Sequence, residues 1–100
     1  MTRKTRRYEE ALDEDLQDPA EAAAYLNACL QDEDPDVFLL ALRDVARARG
    51  GVAKLAEMTD LNREHLYRML SEKGNPELRS LEMLLDALGL RLAVTQKEAS

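Results

Sequence analysis

One cysteine, one histidine, no tryptophan and four aromatic residues in a chain of 100 exclude several classes of protein. A lone thiol, Cys29, closes no internal disulfide and builds no cysteine-based metal site. A lone imidazole, His65, has no sequence neighbour that would orient it as a general base. Neither a glycine-rich phosphate loop nor a spaced set of metal ligands is present. No stretch approaches the roughly 20 consecutive apolar residues of a membrane span. The basic start, Met1 to Arg7, runs into Tyr8-Glu9-Glu10 where a signal peptide would turn apolar. Few aromatics beside many Ala and Leu argue against a β-sandwich or barrel. The expectation is one small all-α domain, cytoplasmic, not an enzyme, with no cofactor, no metal and no membrane partner.

Positive charge is missing from one third of the chain. Met1 to Arg7 holds four basic residues and no acidic ones, and Tyr8 to Asp36 holds eleven acidic and no basic ones. Val37 to Ser100 is almost balanced, with ten basic and nine acidic. The net charge of −6 therefore belongs to the first third, and the remainder is free to present a basic face. Two surfaces of opposite sign suggest two different partners.

Asp18-Pro19 and Asp34-Pro35 each supply an N-cap followed by proline at the first helical position, where a missing N–H costs nothing. The helix after the first pair carries Ala22, Tyr25, Leu26, Cys29 and Leu30 on one face. The next carries Val37, Phe38, Ala41, Leu42 and Val45 and stops at Gly50-Gly51. Upstream, Arg3 to Gln17 is weakly periodic and reads as a frayed helix or as an arm that orders on a partner. Near the other end, Gly74-Asn75-Pro76 breaks the chain, and Ser80 is placed to cap a last helix closed by Gly89. Leu90 to Thr95 alternates like a short strand, to be paired with a second subunit or another protein, or else left as an irregular tail. The organisation expected is an arm over 1–17, a helical domain over 18–95 and a tail over 96–100.

Between Gly50-Gly51 and Gly74 lies the pattern of a helix-turn-helix, over 52–70. Its first helix must approach the second closely, which calls for a small residue at the crossing; Ala56 occupies it, with Val52 and Leu55 inward. Leu61 plugs the turn, Asn62 caps the second helix, and Leu66, Met69 and Leu70 bury it. The left-handed turn position, usually glycine, falls on Asp60. At about 100° per residue, burying those three positions turns Arg63, Glu64, Tyr67, Arg68 and Ser71 outward, with His65 at the flank. Arginine is suited to guanine or phosphate, Glu64 to a cytosine amino group and Tyr67 to a phosphate or a thymine methyl. Asn62, Lys73 and Asn75 complete the expected contacts to double-stranded operator DNA.

Phe38 to Ala46, Leu61 to Glu64, Leu66 to Ser71 and Gly74-Asn75-Pro76, with Asp18-Pro19 and Tyr25-Leu26 upstream, resemble the HigA-like addiction module antidote family with a Cro/C1-type helix-turn-helix. The resemblance covers about four fifths of the chain. It implies a lambda repressor-like fold, and an antitoxin that represses its own operon as a homodimer and neutralises a RelE/HigB-like ribonuclease toxin. It also points to Tyr8, Leu12 and Leu16 as toxin contacts, in a segment whose acidity complements a basic ribonuclease. A phage-type helix-turn-helix repressor without a toxin shares these residue patterns and stands as the alternative.

Overall fold

Each Asp-Pro pair opens a helix. Asp18 is extended and its side chain accepts from the Ala20 N–H at 2.9 Å; Asp34 does the same for Asp36, again at 2.9 Å. The computed structural model describes residues 2–71 and 75–98, with side chains from Arg7 onward. Among the described residues there are six helices: α1 (Thr2–Asp15), α2 (Pro19–Leu30), α3 (Pro35–Ala48), α4 (Gly51–Met58), α5 (Arg63–Met69) and α6 (Leu78–Ala87).

Helix α3 is the centre of the bundle. It packs against α1, α2 and α4, and α4 in turn packs against α5 and α6. The core joins Leu42 and Val45 of α3 to Leu55 of α4, Leu66 of α5 and Leu84 of α6, with Leu88 just beyond. Burying side chains of this size stabilises by about 1.5–3 kcal/mol each before the entropy of ordering them is charged. Gly50, at φ +108°, turns the chain sharply from α3 into α4, and a Cβ there would lie 2.9 Å from Lys54 Cδ. Gly89, at φ +79°, closes α6. Its N–H bonds the Asp86 carbonyl at 3.0 Å and the Leu90 N–H bonds that of Leu85 at 2.8 Å, the paired closure of a left-handed helix end.

The fold corrects the sequence reading in several places. Ser80 is not the cap of α6: the helix begins at Leu78 behind Glu77, and Ser80 is buried inside it. Asp60 is not left-handed, because no described non-glycine residue has positive φ. The α4–α5 connection is made another way. Thr59 turns extended, its hydroxyl donates to the Leu55 carbonyl at 2.8 Å, and its oxygen accepts from the Leu61 N–H at 3.1 Å. Within the expected arm over 1–17, of the two readings left open, the helical one is what α1 shows over Thr2–Asp15, with Leu12 and the buried Leu16 packed on the core. Leu30 stands exposed rather than inward. No strand forms among the described residues, and 90–98 is irregular, since nothing lies beside it to complete a ladder.

Candidate functional site

Helix α5 is set by its two ends and one face. At its start Asn62 is extended and its Oδ1 accepts from the His65 N–H at 2.8 Å. At its end the Ser71 hydroxyl donates to the Arg68 carbonyl at 2.9 Å. Leu66, Met69 and Leu70 are buried, as the periodicity requires. Arg63, Glu64, Tyr67 and Arg68 are left in solvent, and Tyr67 is 64% exposed. Among the described residues none of these four side chains forms a hydrogen bond or ion pair, so their functional groups are available to something outside the chain.

The remaining expected contacts are placed differently. His65 is half-buried, with Nε2 3.0 Å from Ser80 Oγ, a bond that ties α5 to the first turn of α6. Ser71 and Asn62 are exposed, but their hydrogen bonds serve the ends of α5. Asn75 is exposed beyond the helix, and Lys73 lies outside the described residues.

Two further cations border this face. A cleft of about 400 Å³ beside Tyr67, Leu70 and Ser71 is lined by Arg43 and Arg47 of α3 and by Gly51 and Val52 at the start of α4. The Nε of Arg43 is buried there without a partner among the described residues. Arg47 pairs with Asp13 of α1 at 2.9 Å and with Asp44 at 3.3 Å. Its guanidinium is held charged chiefly by the Asp13 hydrogen bond. The sequence carried a signal for both, two arginines four apart on one helix, which share a face.

Asp44 has a second partner. The Tyr25 phenol donates to it at 2.6 Å, and burial first, then the neighbouring carboxylate, push that phenol's pKa well above its ordinary value. Burial likewise raises the thiol of Cys29, against the behaviour of an activated nucleophile. Among the described residues no three His, Cys, Asp or Glu side chains are grouped to hold a metal ion, and no helix is long and apolar enough to cross a membrane.

The N-terminal residues form a separate surface. Tyr8 is 67% exposed on α1, with Glu9, Glu10 and Glu14 also in solvent. Leu12 is half-buried against the core, and Leu16, at 2% exposed, is a core residue. The side chain of Leu16 fills the space beneath α1, so of the three expected toxin contacts Tyr8 is the exposed one.

The model of a family described as "Probable addiction module antidote protein" matches residues 5–96. A protein of Haemophilus influenzae described as "Uncharacterized protein" is 37% identical over 83 residues, which is 83% of this chain and 84% of that protein. No solved structure matches the chain.

Proposed function

Since the chain belongs to the family of probable addiction module antidote proteins, we propose that it is the antitoxin of a type II toxin–antitoxin pair. In this reading it represses its own operon as a homodimer and neutralises a RelE/HigB-like ribonuclease. The observation that carries the DNA-binding half is the solvent-facing set Arg63, Glu64, Tyr67 and Arg68, unpartnered among the described residues on one side of α5. The α4–α5 unit is then a helix-turn-helix whose second helix enters the major groove. Arg63 and Arg68 are its guanine or phosphate ligands, and Arg43 and Arg47 lie where a flanking phosphate would pass. Asn62, Ser71 and His65 act by fixing α5, and Lys73 and Asn75 are the proposed contacts to the DNA backbone.

The toxin-binding half rests on α1 and the acidic stretch behind it. Tyr8 offers a large exposed aromatic surface among Glu9, Glu10 and Glu14, suited to a basic partner. Electrostatic attraction between the acidic third and a cationic ribonuclease would speed their encounter.

Replacing Arg63 and Arg68 together with Ala tests the first half. Operator binding in a mobility-shift assay is expected to be lost while toxin neutralisation persists; unchanged operator binding would sink the assigned surface.

A further inference from the structure

We infer that the segment from Leu90 to Gln96 pairs antiparallel with the same segment of a second copy of this chain. This deepens the two-copy part of the proposed function and rests on it. Four observations carry it.

The first is backbone chemistry. Beyond the Leu90 N–H, which closes α6, no backbone N–H or carbonyl of residues 91–98 has a hydrogen-bond partner among the described residues. A run of unpaired donors and acceptors at the surface can serve as a template for another strand. The second is the side-chain pattern. Leu90, Leu92 and Val94 alternate with Arg91, Ala93 and Thr95. Leu92 is 42% exposed, and Val94, at 99%, is wholly in water. A solitary exposed valine is ordinary, but an apolar alternation beside an apolar groove is not. The groove, about 300 Å³, is walled by Leu26, Leu30, Phe38 and Leu85 and by the segment itself.

The third observation decides between a second copy and a foreign chain, and it is the self-complementarity of the sequence. With Ala93 on the two-fold axis, Leu92 faces Val94, Arg91 faces Thr95, and Leu90 faces Gln96. No like charges meet, the small residue sits at the axis, and the exposed Leu92 and Val94 each gain an aliphatic partner directly opposite. The fourth is charge. The segment from Arg91 to Glu98 brings two cations and one anion, and the chain that follows the groove residue Gln31 continues as Asp32, Glu33, Asp34 and Asp36, all exposed. A partner copy thus brings cations toward a chain whose next residues are acidic. A basic toxin on the same edge would meet Arg91.

The test uses the full chain. Wild type is expected to sediment as a dimer at micromolar concentration. Val94→Glu is expected to weaken dimerisation at least tenfold with unchanged circular dichroism and melting of the monomer, because that side chain is 99% exposed among the described residues. Ala93→Cys in a Cys29→Ser background is expected to form a disulfide-linked dimer on mild oxidation, and Lys97→Cys in the same background is not. A monomeric wild type would overturn both this interface and the two-copy reading. A dimer that survives Val94→Glu, or that fails to cross-link through position 93, would overturn the interface and leave the two-copy reading standing.

Discussion

The phenol of Tyr25 bridges α2 to Asp44 on α3 from a half-buried position, and its loss has two readouts. Tyr25→Phe is expected to cost about 0.5–1.5 kcal/mol in denaturant unfolding at neutral pH, the usual net worth of one hydrogen bond. It should also change the alkaline limb of the stability profile. Because the folded-state pKa is raised above the ordinary value near 10, this term is complete below pH 10 and is lost as pH climbs toward the folded-state value. The variant is therefore expected to show a shallower decline above pH 10 than wild type. Asn62 is the other residue whose single bond is decisive, since α5 has only seven residues to sustain it. Asn62→Ala is expected to cost about 1 kcal/mol and to weaken operator binding through α5 order. Asn62→Asp, which keeps the acceptor, should retain the stability.

At the scale of elements, α1 separates into a part that folds the protein and a part that projects from it. Deleting residues 1–10 leaves Leu12, Asp13 and Leu16 in place and is expected to change unfolding free energy little while weakening toxin capture. Extending the deletion to Gln17 removes Leu16, a fully buried leucine, and is expected to cost about 2–5 kcal/mol; equal stability of the two truncations would contradict the docked position of Leu16. The Arg47–Asp13 pair, at 44% and 34% side-chain exposure, adds only about 0–1 kcal/mol to that docking.

This division shows what was legible in the sequence. The Asp-Pro starts of α2 and α3, the Gly89 stop and the buried face of α5 follow from local rules of capping and periodicity, and the structure places them so. Three features were not read from the sequence, the first because it depends on a tertiary contact that no local pattern encodes. Ser80 resembles a cap in sequence, yet its hydroxyl answers to His65, fifteen residues away. The α4–α5 connection avoids a left-handed residue because Thr59 bonds on both sides of it. Arg43 and Arg47 were hidden by reading α3 only for its apolar face. The exposed set on α5 was legible because three buried positions fix the rotation of every other residue on so short a helix.

For the whole molecule, the proposed DNA binding would have to coexist with a net charge of −6, which sets its expected dependence on ionic strength. Operator affinity is expected to fall steeply as salt rises, through counterion release at each neutralised phosphate. In a salt titration the Arg43→Ala variant is expected to lose a contact common to all sequences, reducing the slope and leaving operator preference intact. A slope equal to wild type would remove Arg43 from the phosphate path.

Gly89 finally has a role larger than ending a helix. Only four residues separate Leu88, fixed in the core, from Ala93 on the proposed two-fold axis, so the backbone angle at Gly89 aims the tail. A methyl group there would meet only Pro19 carbons at 3.7 and 3.8 Å, ordinary contact distances, and the objection to Gly89→Ala is conformational rather than steric. The joint works like a fixed elbow: the angle that completes α6 is the same one that, in the proposed pairing, would point each copy toward its twin. Any residue that straightens it would misalign the pair while leaving the core intact.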